Sequence, residues 1–148
     1  MTVETEVEIA APREEVFELL LDPSRLDEWV TASHGVADAP DGPLRSGSSF
    51  RHRLRLGGAR FDVRWEVTEL ERPSLAVWEG RGPAGSHAAV RYELAENEAG
   101  TRFRYCNTYD LPGGVLGAMA GRVTSAPAKH AMRTSLRKLK LLLESGRR

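Results

Sequence analysis

The sequence predicts an α+β protein: a curved antiparallel sheet of about six or seven strands, two short helices after the first strand, and one long C-terminal helix. Three observations carry this prediction. "SSFRHRLRL", Ser48 to Leu56, alternates Arg51, Arg53 and Arg55 against Phe50, His52, Leu54 and Leu56, the period of a strand with one wet and one apolar face. Similar alternation recurs down the middle of the chain with only short turns between runs, as an antiparallel meander requires. The period then becomes helical at Gly114 and stays so to about Glu144.

Taken in order, "VETEVEIA" sets Val3, Thr5, Val7 and Ile9 against Glu4, Glu6 and Glu8, a strand with one buried face. "APREEVFELLLDP" is helical, with Pro12 suited to the first position, Glu14 and Glu15 at the positive end, and Asp22-Pro23 as the stop. "SRLDEWV" predicts a second short helix with Ser24 as its N-cap and Leu26 and Trp29 turned inward. A short strand is expected within 30–37, before the turn-rich "APDGPLRSGS". Gly57-Gly58 joins strands 49–56 and 60–70 as a hairpin. "SLAVWEG", "AAVRYELAE" and "GTRFRYCNTYDLP" supply three more strands, and in the first of these either face can point inward. In the last helix Leu116, Met119, Ala120, Val123, Met132, Leu136, Leu139 and Leu143 form the apolar stripe, and Pro127 is expected to kink or divide it. Arg133, Arg137, Lys138 and Lys140 are expected on its solvated side.

The 148 residues contain no repeat or linker, so one domain over 1–148 is expected. Lys+Arg and Asp+Glu both number 21, which gives no net field to attract nucleic acid or an anionic membrane. The one cysteine, Cys106, excludes an intrachain disulfide, and the acidic "MTVETEVEIAAP" lacks the features of a signal peptide. A cytoplasmic protein, monomeric or homodimeric, is therefore expected. The four histidines lack the paired spacing of a zinc site, and neither a nucleophile elbow nor a phosphate-binding loop occurs, so no metal or cofactor is expected.

The chain resembles the START-like, or helix-grip, superfamily of polyketide cyclase/dehydrase and lipid-transport (SRPBCC) type. The resemblance rests on "VEIAAPREEVFELLLDPSRLDEW", "VTELERPSLAVWEGRG", "YELAENEAGTRFRY" and "SLRKLKLLLE" and covers nearly the whole chain. It implies a sheet wrapped around the long helix, with a cavity between them for a small hydrophobic, aromatic or lipid molecule. The residues read on the inward faces suit such a pocket: His52, Tyr92, Tyr105, Asn107 and Tyr109 as polar members, and Phe50, Leu54, Trp65 and Trp78 as walls, with Met119, Val123 and Met132 opposite. His34 joins them if the strand within 30–37 forms.

His52 has two readings, a neutral histidine satisfied within the core or a polar contact or general base in the cavity. Binding, sequestration or transport of the small molecule is the leading expectation. The alternative is a metal-free cyclase/aromatase-type lyase or dehydratase, with His52, Tyr105 or Tyr109 moving protons. A second alternative is an interaction protein of the Hsp90-activator kind. Binding leads because no acid and base stand at readable spacing.

Overall fold

The computed structural model describes residues 2–56, 59–110 and 114–145, and among these the side chains other than those of 56, 59, 110 and 114–128. The chain runs β1 (Thr2–Ile9), α1 (Arg13–Leu20), a 3-10 turn (Pro23–Arg25), α2 (Leu26–Trp29), β2 (Ser33–Ala37), β3 (Ser49–Leu56), β4 (Ala59–Glu71), β5 (Leu75–Arg81), β6 (His87–Asn97), β7 (Gly100–Asp110) and α3 (Gly114–Glu144). All strand pairs are antiparallel in one seven-stranded sheet of order β1-β7-β6-β5-β4-β3-β2. The sheet curls into a half-barrel around α3, the predicted α+β helix-grip arrangement.

The two-residue period decides which side chains enter the core. Phe50, His52 and Leu54 of β3 point inward with Val63, Trp65 and Val67 of β4, while Arg51, Arg53, Arg64 and Glu66 are exposed. In β5, Ala76, Trp78 and Gly80 are buried and Glu79 is exposed, which settles the face that alternation left open. On α3, Met132, Leu136, Leu139 and Leu143 are buried at helical spacing, and Arg133, Arg137 and Lys138 are exposed.

Four expectations need correction. The Asp22 carboxylate, rather than Ser24, caps the turn into the second helical segment: its Oδ1 accepts the Ser24 N–H at 3.0 Å. Of the two outcomes expected at Pro127, a kink or a division, the division does not occur, because Gly114–Glu144 is one element. Lys140 is not simply solvated. Its Nζ donates to the Glu8 carbonyl at 2.6 Å, and Glu144 Oε2 accepts the Ala10 N–H at 2.7 Å, so the end of α3 satisfies backbone groups at the free edge of β1. His34 is exposed although β2 forms. A bulge explains this: the register passes from Ser33↔Leu54 to Val36↔His52, with Gly35 at φ +124 in the extra position. Ser33 and Val36 thereby lie beside the inward residues of β3, and His34 is left outside.

Candidate functional site

Backbone pairing places the candidate residues in rows across the concave face. One row runs Val67, Trp78, Val90, Asn107 and Val3 over β4, β5, β6, β7 and β1. The next runs Phe50, Trp65, Gly80, Ala88 and Tyr109. Gly80 is dictated by packing, because a Cβ there would lie 2.6 Å from Val63 Cγ1 and 2.7 Å from the Trp65 ring. The Val63 and Trp65 side chains thus fill the space above Gly80, and Ala88 follows it in the row before Tyr109. A third row holds Ala76, Tyr92, Tyr105 and Thr5.

An aromatic chain crosses these rows. Phe50 and Trp78 meet edge to face with centroids 5.4 Å apart, Trp78 and Tyr92 at 5.3 Å, and Tyr92 and Tyr105 at 5.2 Å. Trp29 of α2 closes on Tyr105 at 6.0 Å. Phe50, Trp65, Trp78, Tyr92 and Tyr105 are buried, as predicted, and Leu54 is buried beside His52. Asn107 and Tyr109 are half-buried. Met119 and Val123 lie outside the described residues.

Two polar groups interrupt this apolar surface. In the first, Asn107 Nδ2 donates to Tyr109 Oη at 3.1 Å and to Tyr105 Oη at 3.3 Å, and the Tyr92 and Tyr105 hydroxyls are bonded to each other. Burial pushes the ionisation of all three tyrosines up, so they stay neutral phenols at neutral pH. Asn107 Oδ1, Trp29 Nε1 and Trp78 Nε1 are buried and have no hydrogen-bond partner among the described residues.

The second group is centred on His52, which is 4% exposed. Trp65 Nε1–H donates to His52 Nδ1 at 3.3 Å, so the ring proton sits on Nε2, 2.7 Å from Ser33 Oγ. The Ser33 hydroxyl donates in turn to Asp27 Oδ1, which also accepts the Gly35 N–H at 3.1 Å. Burial lowers the His52 pKa to about 4, opposed by the Asp27 charge, and the imidazole is neutral at pH 7. This Trp65–His52–Ser33–Asp27 chain is not a nucleophilic triad, because the serine proton goes to the carboxylate and the outer imidazole nitrogen faces an indole. Sequence reading missed Ser33 and Asp27: they sit 19 and 25 positions before His52, and only the β2 bulge brings them together.

The opposite face of the sheet carries a polar trough of about 490 Å³ lined by Ser49, Arg64, Glu66, Glu79, Arg81 and His87, among others. Its charged walls do not suit an apolar ligand.

A family profile described as "Polyketide cyclase / dehydrase and lipid transport" matches residues 1–144. The chain belongs to this family. Its fold recurs in a conserved protein from Geobacillus kaustophilus (TM-score 0.77, 21% identity, 99% of this chain and 97% of that chain). It recurs equally in a protein of Thermus thermophilus (TM-score 0.77, 18% identity, 100% of both chains). The Aha1 dimer from Colwellia psychrerythraea is similar at TM-score 0.65 and 20% identity, over 100% of this chain and 99% of that one. No curated protein matches the chain in sequence. In keeping with the family's polyketide cyclase/dehydrase and lipid-transport character, the concave face is rich in aromatic side chains. No helix among the described residues is long and apolar enough to cross a membrane.

Proposed function

We propose that the protein binds and carries, or sequesters, a small hydrophobic molecule between the concave face of the sheet and α3, as one ligand-binding domain over 1–148. The observation that carries this reading is the row pattern itself. Phe50, Trp65, Trp78, Tyr92, Tyr105 and Tyr109 stand in adjacent rows on the concave face, with the amide of Asn107 among them. Such a surface removes apolar ligand area from water at about 25 cal/mol per Å² and uses a few polar points for orientation.

Binding is favoured over proton-transfer catalysis by the state of the titratable groups. His52 has both ring nitrogens engaged by protein side chains and a pKa of about 4. A general base at neutral pH needs a pKa near 7 and a free lone pair aimed at the substrate. Neither condition is met at His52. Its role in this reading is to hold Trp65 and β2 as parts of the pocket wall.

Native mass spectrometry of the purified protein is the first test, with displacement of an apolar fluorescent probe as the second. A retained small molecule, or saturable probe binding at one site, is expected. Absence of both a retained mass and any probe binding overturns the reading.

A further inference from the structure

The convex face of the sheet sets like charges opposite each other where β4 meets β5. Arg64 faces Arg81 across the strands, and Glu66 faces Glu79 in the next row. Like charges in directly opposite positions repel. At several other positions of this face opposite charges meet instead: Arg53 faces Asp62, Glu6 and Glu93 flank Arg104, and Glu8 faces Arg102. Arg51, on the β3 side of Arg64, is paired with Asp38 at 2.9 Å. Arg55 also faces Arg60, but neither of these lines the polar trough on this face.

Nor do the four groups neutralise one another along their strands. Arg91 and Glu93, two positions apart on β6, close to 3.1 Å, so this spacing permits an ion pair. Among the described residues, none of Arg64, Glu66, Glu79 and Arg81 forms one. Arg64 Nη2 donates instead to Ser49 Oγ at 3.4 Å. All four groups line the trough of about 490 Å³, and the glutamate row continues from Glu79 to the short side chains of Ala89 and Thr108. The trough therefore has a cationic end and an anionic end, and the two rows are two residues, about 7 Å, apart along the strands. We propose that it is a binding site for a small zwitterion, with a carboxylate held by Arg64 and Arg81 and an ammonium group, about 7 Å away, held by Glu66 and Glu79. A simple anion is attracted by the arginines and repelled by the glutamates, and a simple cation meets the reverse. A zwitterion with adjacent charges reaches only one end. The sheet itself separates this site from the concave face, so its occupant is independent of the pocket there.

The test titrates the full chain, labelled with nitrogen-15, at low ionic strength with 6-aminohexanoate, hexanoate, hexylamine and glycine. The signals followed are the Nε–H groups of Arg64 and Arg81 and the backbone amides of 79–81 and 87–89. Saturable shifts with 6-aminohexanoate are expected there, at an affinity about fivefold above that of hexanoate or hexylamine, the weight of one further exposed ion pair. Added salt should weaken them, and glycine should produce none. Glu79→Gln should bring 6-aminohexanoate and hexanoate to equal affinity, and Arg81→Gln should weaken both. Arg53→Gln, which alters an arginine outside the trough, should leave both unchanged. All three side chains are exposed, so the variants are expected to fold. Equal affinity of the wild-type chain for 6-aminohexanoate and hexanoate, no shifts at these signals, or shifts that Glu79→Gln and Arg81→Gln leave in place would overturn the proposal. So would a concentration-dependent dimer that Arg81→Gln dissociates, because the two-ended charge pattern would then be meeting a second copy of itself.

Discussion

At the scale of single residues, His52 shows how one hydrogen-bonded chain decides between two readings of the same side chain. Alternation along "SSFRHRLRL" required it to face inward, and it does, at 4% exposure. Its partners decide the rest: Trp65 donates to Nδ1, and Nε2 faces Ser33, which is anchored on Asp27. The pH consequence follows from the direction of its shift. A folded pKa of about 4 lies below the ordinary 6.5, so the unfolded chain takes up this proton first as pH falls. The stabilisation from keeping His52 neutral is complete above about pH 6.5 and is lost progressively toward pH 4, amounting to about 3 kcal/mol. Denaturant titrations at pH 7 and pH 4.5 should therefore show a loss in wild type that is reduced in His52→Gln, which cannot take up that proton. An equal loss in both proteins would place the pH sensitivity elsewhere.

At the scale of elements, α3 is bound to the sheet by an apolar stripe and by polar contacts at its flank and end. Met132, Leu136, Leu139 and Leu143 are buried, Lys140 and Glu144 bond the backbone of β1 and the residue after it, and Thr31 donates its N–H to Ser135 Oγ at 2.9 Å. Leu139 is fully buried, and Leu139→Ala should lower stability by about 2–5 kcal/mol through lost burial and the cavity left behind. Leu141, on the same helix but 69% exposed, provides the control: Leu141→Ala should change stability by less than about 0.5 kcal/mol. Equal melting temperatures for the two variants would contradict this placement of the helix.

At the scale of the whole molecule, acidic and basic residues are equal in number, and several of them meet in exposed pairs. Arg104 lies within 4 Å of carboxylate oxygens of Glu4, Glu6 and Glu93, Arg102 pairs with Glu8, and Arg51 pairs with Asp38. These exposed pairs add little stability, but they neutralise part of the arginine charge that phosphate contacts would need. Duplex DNA should accordingly show no binding at physiological salt. A tight complex whose affinity falls steeply with added salt would contradict both this charge pattern and the small-molecule reading.

Periodicity along the chain was enough to read off the element order, the boundaries of every strand but β2 to within a residue or two, and the inward faces of β3, β4, β6 and β7. Those features are local, and a one-residue slip would turn a whole apolar face to water. Phe50, His52, Trp65, Tyr92, Tyr105 and Asn107 were legible for that reason. Alternation could not choose a face for β5, where "LAVWEG" is apolar on both sides; the fit of Trp65 over Gly80 decided it. Nor could alternation place His34, because the bulge at Gly35 breaks the period on which such a reading depends. The tyrosine partners of Asn107 lie two positions to either side on one strand face, so alternation already set them beside it. Ser33 and Asp27, the chain that holds His52, emerged only from the folded arrangement, because a hydrogen bond is directional and short, and these partners are set by where the β2 bulge and the loops bring distant parts of the chain together.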